Sequence, residues 1–331
     1  MSTPTDYNMG LLYVILHDFE LNQNFYSCKT PKAHGITRPI LGGYFLTSGM
    51  ILITLYTLCL IAIAKSDQLH LPSYKIMLVL AIYDIISLFI NSICTGYLGI
   101  YGVKYCDYPK TLYVLGCIAV SSWLGSCSAC VTLAINRCCD LNPQLKLWWF
   151  FDGRKIYIFL LLFFIYSLYG LLLSKPAIFS SEIMTWAFDP RVGKPPEIYL
   201  NYLQVLNNSS VAASTMSLYL YLCAIIVKKS RYISSQALSK TQRQIITQSI
   251  LYCSFHTIAT LMYIYMQYYT PTLTLIIAAQ LGWQFCNCSL CLIYLTINRT
   301  IRTGVKNLLN CYSVESADGR VSFVSNEPAT R

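Results

Sequence analysis

The chain has 331 residues, of which 55% are hydrophobic and only 11% charged, with a mean hydropathy of +0.50. Soluble domains carry charge at about a quarter of their positions, so neither one large nor two small soluble domains fits this composition, and the bilayer is the solvent that does. The formal charge of +10 does not indicate nucleic acid, because the Lys and Arg residues fall between apolar runs instead of gathering into a basic domain.

From the N-terminus, Met9 to Leu16 is a short apolar stretch with Asp6 and no basic residue ahead of it. A cleaved signal peptide needs a positive leader and a longer apolar core, so none is expected and the first span starts insertion. A membrane-crossing helix takes about 20 mostly apolar residues, and seven runs qualify: Gly42 to Ala64, Tyr74 to Ile100, Thr111 to Ile135, Ile156 to Phe179, Val205 to Val227, Ile245 to Tyr268 and Thr272 to Ile297. The expected fold is an all-α membrane protein, a seven-transmembrane helix bundle with its N-terminus outside. Residues 1–41 then form an extracellular segment, 42–297 the bundle and 298–331 a cytoplasmic tail. Arg299 to Asn310 reads as a short amphipathic helix on the inner leaflet, with Ile301, Val305, Leu308 and Leu309 against basic neighbours. The tail after about Leu309 is polar and expected to be disordered.

The orientation rests on basic residues, which concentrate in cytoplasmic loops. With the N-terminus outside, the inner side holds most of the Lys and Arg residues. The most one-sided segment, Lys228 to Gln244, carries Lys228, Lys229, Arg231, Lys240 and Arg243 with no acidic residue. It reads either as a topology signal alone or as a contact surface for a G protein.

Most cysteines fall inside the apolar runs, where Cys behaves as a small hydrophobe. Cys28 and Cys106 lie outside, and two cysteines in an oxidising space are expected to pair. The second outer loop, from Ser180 to Gln204, has no Cys. Asn207 and Asn208 each begin an N-x-S sequon at the outer edge of the fifth run, which makes them candidate glycosylation sites. Cys311, after the amphipathic helix, is a candidate for palmitoylation, with an unmodified thiol as the alternative.

Ionisable groups are costly in the bilayer, so an intramembrane Asp marks function by default. Asp84 is such a residue, and Asn91 follows seven positions later on nearly the same face. In the seventh run Gln280, Gln284, Asn287, Cys291, Tyr294 and Asn298 recur at helical steps. In the sixth, Gln248, Tyr252, His256, Tyr263 and Gln267 do the same. Such stripes face a shared interior, either as interhelical hydrogen-bonding groups or as ligand contacts in the outer half. Trp123, Cys130 and Arg137, spaced by sevens, share a face of the third run, with Arg137 at its cytoplasmic end.

These residues match the rhodopsin-like receptor plan in part. Leu80-Ala81 followed by Asp84 resembles that family's second-helix motif, Asn136-Arg137-Cys138 stands in place of its Asp-Arg-Tyr, and Ser126 matches its sodium-site serine. The resemblance implies that Asp84 and Ser126 can hold a sodium ion and that Arg137 engages the G protein. Departures are substantial. The seventh run keeps only Tyr294 of Asn-Pro-x-x-Tyr, and the fifth and sixth runs contain no proline.

Across nearly the whole chain the sequence resembles the nematode serpentine chemoreceptors of class T. The segments that carry this are Ser73 to Met77 with Asp84, Thr95-Gly96-Tyr97, Cys106-x-Tyr108-Pro109, Trp123, Leu133 to Cys138, Trp186-x-Phe188-x-Pro190 and Ile293 to Arg302. The resemblance implies a multi-pass plasma-membrane receptor in sensory-neuron cilia, answering an environmental small molecule through a heterotrimeric G protein. In that reading Trp123, Tyr263, Gln267, Gln280, Trp283 and Gln284 converge on the ligand. Asp84, Asn91, Ser126, Asn287 and Tyr294 form a bundle switch, and Arg137, Lys228, Lys229 and Arg231 meet the G protein. An aromatic and amide lining without acidic partners suits a neutral or weakly polar ligand.

Other functions fit less well. A metal enzyme needs several His or carboxylate ligands in the bundle, and an aspartyl protease needs a second Asp beside Asp84. A retinal pigment needs a Lys in the seventh run. None of these is present, and no metal or cofactor is expected. A transporter or channel remains the alternative, against which stands the lack of paired Gly- or Pro-broken spans.

Overall fold

The computed structural model describes residues 9–28, 35–142, 145–232 and 240–318. Two short helices, α1 (Leu11–Leu16) and α2 (Gln23–Tyr26), precede the bundle. Its long helices are α3 (Pro39–Ala64), a continuous rod made of α4 (Pro72–Leu88), a π turn (Phe89–Cys94) and α5 (Thr95–Ile100), then α6 (Pro109–Leu141), α7 (Ile156–Leu173), α8 (Tyr202–Tyr232), α9 (Lys240–Tyr268) and α10 (Leu273–Thr296). Among the described residues these are seven long helices, and five of them, those beginning at Pro39, Pro72, Pro109, Ile156 and Leu273, are long and apolar enough to cross a membrane. α11 (Arg299–Asp318) follows.

Local chemistry sets the boundaries. Pro39, Pro72 and Pro109 open α3, α4 and α6 at positions where a missing N–H costs nothing. The fourth run ends six residues earlier than its apolar character suggests. Pro176 has no N–H to give and biases Lys175 away from helical backbone, so the chain leaves the helix at Ser174 and enters β1 (Ile178–Ser180). β1 pairs antiparallel with β2 (Thr185–Ala187), Phe179 facing Trp186 across the ladder. This hairpin is an addition to the expected all-helical plan.

α6 is the most enclosed long helix, whereas α3 and α7 turn most of their surface outward. The outward face of α7 carries Ile158, Leu161, Phe164 and Ile165, a surface that only an apolar solvent tolerates. α3 and α5 approach closely through Gly42 and Gly96, where an added Cβ on either residue would meet the other's backbone. α6 passes equally close to the segment leading into β1, since a Cβ on Gly116 would collide with the Ala177 carbonyl oxygen.

The N-terminal segment is folded onto the hairpin end of the bundle. Met9 and Val14 are buried, the Tyr113 hydroxyl donates to the Met9 carbonyl (2.6 Å), and Tyr26 packs against Tyr105, Tyr113 and Tyr199. Cys28 and Cys106 are joined by a disulfide that pins this segment to the start of α6. The hairpin turn is held by Glu182, which pairs with Lys104 (2.5 Å) and Arg191 (3.1 Å). The hydrogen bond from Lys104, with the charges of Lys104 and Arg191, holds the Glu182 carboxyl below the ordinary carboxylate range.

At the opposite end α11 is longer than the expected Arg299 to Asn310, running on to Asp318. The Asn298 side chain caps it by accepting from the Ile301 N–H (3.2 Å). Ile301 and Val305 are buried against the bundle and Leu309 is exposed. The disorder expected after about Leu309 is not seen over 310–318, which continue α11; residues 319–331 lie outside the described residues, as do residues 233–239 of the basic loop.

Candidate functional site

Beneath the hairpin, the bundle encloses a small cavity of about 40 Å³, partly open to solvent. α6 supplies Ala119, Val120 and Trp123, α9 supplies Tyr263, and α10 supplies Trp283. The hairpin and its approaches close it with Ala177, Trp186 and Phe188, and Gln204 enters from α8. No lining residue is charged. Trp283 sits edge-on to Trp123 (centroids 6.5 Å apart, 89°) and to Tyr263 (6.2 Å, 83°), while His256 stacks on Trp123 (5.7 Å, 17°). Such edge and offset arrangements are the favoured ones for aromatic pairs. The Trp123 indole is fixed further by donating to Asn208 Oδ1 (2.9 Å).

Of the six side chains expected at a ligand, Trp123, Tyr263 and Trp283 line this cavity and the three glutamines do not. Gln280 donates to the Asn91 carbonyl (3.0 Å) and accepts from the Thr185 hydroxyl (2.7 Å), tying α10 to the π turn and to β2. Gln284 donates to Ser48 (3.0 Å) and Ser92 (2.9 Å) and accepts from Tyr44 (3.3 Å), joining α10 to α3 and the π turn. Gln267 accepts from the Asn201 N–H (3.2 Å) at the start of α8. These amides act as interhelical ties. Trp186, Phe188 and Gln204 were missed as lining residues. The loop's aromatic pair, Trp186-x-Phe188, is the sequence signal available for them.

The two sequon asparagines are both buried within the bundle, Asn207 accepting from Tyr166 (3.2 Å) and Asn208 from Trp123.

Deeper in the bundle, Asp84 is fully buried. Tyr56 of α3 donates to its Oδ2 (2.6 Å) and Ser126 of α6 to its Oδ1 (2.7 Å), so the carboxyl joins three helices and each oxygen accepts from a hydroxyl. Asn91 Nδ2, both polar atoms of the Asn287 amide and the Tyr294 hydroxyl are buried without partners among the described residues. The five expected switch residues are all buried but form no single hydrogen-bonded cluster.

At the end opposite the hairpin, Arg137 pairs with Asp140 (3.6 Å), one helical turn on, and its Nη2 approaches Met77 Sδ (3.5 Å). Asp140 was not singled out in the sequence, although the three-residue spacing is the signal. Arg137 borders a wide cleft together with Tyr74, Asn136, Gln248 and the first residues of α11. Lys228, Lys229 and Arg231 lie on the last turns of α8, with side chains outside the described residues, as is that of Cys311 on α11.

A multi-helix membrane bundle, roofed by a disulfide-pinned segment and a hairpin over an uncharged aromatic cavity, with an arginine-bearing cleft at the far end, has the plan of a serpentine receptor. A family model described as serpentine type 7TM GPCR chemoreceptor Srt matches residues 9–318. The chain belongs to that family. It is similar to a Caenorhabditis elegans protein named serpentine receptor class T-55, with 25% identity over 288 residues that cover 86% of this chain and 79% of the relative.

Proposed function

We propose that the chain is a chemosensory receptor of the plasma membrane, crossing it seven times with the hairpin end outside. It binds a small uncharged molecule in the cavity beneath the hairpin and passes the signal to a heterotrimeric G protein at the Arg137 end. The observation that carries the reading is the cavity itself. Its polar groups are few and neutral, its walls are aromatic, and four helices and the outer hairpin contribute to it at once, so an occupant biases their relative positions. The Arg137–Asp140 pair, the cleft beside it and the basic residues ending α8 support G-protein contact at the other end. A location in sensory cilia follows from the family resemblance.

The test is Trp123→Ala in a reporter cell carrying the receptor, with surface level measured in parallel. Loss of the large buried ring should raise the concentration needed for half-maximal response by at least tenfold, since Trp truncation removes packing of about 3–5 kcal/mol in cores. Unchanged potency at normal surface level would remove the cavity from ligand binding.

A further inference from the structure

Three indoles border the cavity, and they differ in where their N–H groups point. Trp123 donates to Asn208 Oδ1 (2.9 Å) and Trp186 to Thr95 Oγ1 (2.9 Å). The N–H of Trp283 has no partner among the described residues, although the side chain is only 6% exposed. Gln204 is similar: it is 8% exposed and its Oε1 is buried without a partner. Leaving a buried donor or acceptor unmade costs about 1–3 kcal/mol. The Trp283 ring is held by its edge contacts with Trp123 and Tyr263, so the bare donor has a fixed direction.

We propose that the ligand of this receptor is an uncharged, compact, mainly apolar molecule that carries an oxygen, as carbonyl or hydroxyl, which accepts the Trp283 N–H. Where that group is a hydroxyl, Gln204 Oε1 takes its hydrogen. The proposal rests on the cavity being the ligand site. Amines and carboxylates are excluded by the same lining, since a buried ion without a counter-charge costs far more than one hydrogen bond returns. Hydrocarbons fit the walls but leave these two polar atoms bare, along with the Tyr263 hydroxyl, which also belongs to the lining and has no partner among the described residues.

The experiment uses the purified full-length chain in lipid nanodiscs, followed by thermal melting without any G protein, against hexane, hexanone, hexanol, hexylamine and hexanoate at matched free concentrations. Hexanone and hexanol should raise the melting midpoint, hexane should do so less, and the two ions not at all. Trp283→Phe keeps an aromatic ring, smaller than the indole, and deletes the donor. It should weaken the apparent affinity for hexanone and hexanol roughly three- to tenfold and that for hexane less, while Gln204→Leu should weaken hexanol alone. Equal stabilisation by hexane and hexanone, preference for either ion, no effect of any neutral member, or indifference to Trp283→Phe as expected of a group satisfied by water only would each overturn the proposal. The wild-type panel decides even if a variant folds poorly. Because the readout involves no signalling, a chain that binds hexanone but drives no G protein refutes the receptor reading and leaves the ligand class standing. A chain that signals but ignores this panel does the reverse.

Discussion

Tyr56→Phe is the sharpest test of how the bundle is joined. The substitution deletes one atom, the hydroxyl that donates to Asp84 Oδ2 at 2.6 Å, and both residues are fully buried. Interhelical hydrogen bonds in membranes average about 0.6 kcal/mol and reach about 1.7. A short bond to a carboxyl, whose other oxygen is already engaged by Ser126, belongs at the upper end, because the freed oxygen has no water to turn to. The expected loss is therefore about 1.5 kcal/mol, roughly tenfold in the unfolding equilibrium. The molecule supplies its own probe: Cys127, Cys130, Cys286 and Cys291 are free and fully buried, so a thiol-reactive dye reports melting in nanodiscs. Tyr56→Phe should melt several degrees lower than wild type, and the difference should vanish in an Asp84→Ala background, where the partner is gone. An unchanged midpoint, or an equal penalty in both backgrounds, would refute the account of Asp84 as the junction of α3, α4 and α6.

Two further predictions concern the hairpin end. Cys28→Ser and Cys106→Ser should each expose one new reactive thiol on intact cells and loosen the N-terminal segment, measured as faster proteolysis there; no new thiol signal would contradict the bridge. The Glu182 carboxyl is held below its ordinary value by Lys104 and Arg191, so its folded form keeps the proton off more strongly than the unfolded one. Its contribution is present in full above the usual Glu range near about pH 4.3 and is lost as pH falls through the lower folded value. The pair is partly exposed, so the effect is small. Glu182→Gln should abolish the acid-dependent part of hairpin opening, read by hydrogen exchange at Thr185 and Trp186, and an unaltered acid profile would rule Glu182 out.

Much of the bundle was legible because the bilayer fixes the length and polarity of a crossing helix. Asp84, Gln280, Gln284 and Asn287 were recognisable as inward-facing for the same reason, and all are buried. What the glutamines do was not legible. Their partners, Thr185, Asn91, Ser48 and Ser92, lie far off in sequence, and a period of 3.6 specifies a face but not what meets it. The hairpin escapes the sequence pattern because its three-residue strands are too short to alternate, and the fourth run reads too long because Ala177, Ile178 and Phe179 continue its apolar character beyond the Pro176 break. Half of the expected ligand set, Trp123, Tyr263 and Trp283, meets at the cavity. The other walls come from the loop and the start of α8, where only tertiary contact brings them together.

The central claim, a receptor that drives a G protein from its Arg137 end, is tested most directly by nucleotide exchange. Purified chain in nanodiscs is mixed with a heterotrimeric G protein and an activating small molecule, and the rate is compared with that of Arg137→Ala at equal folded amount. Ligand-dependent exchange by the wild type and its loss in the variant are the predicted results. Exchange that persists in Arg137→Ala, or a wild-type chain that never accelerates it with any ligand bound, would contradict the account.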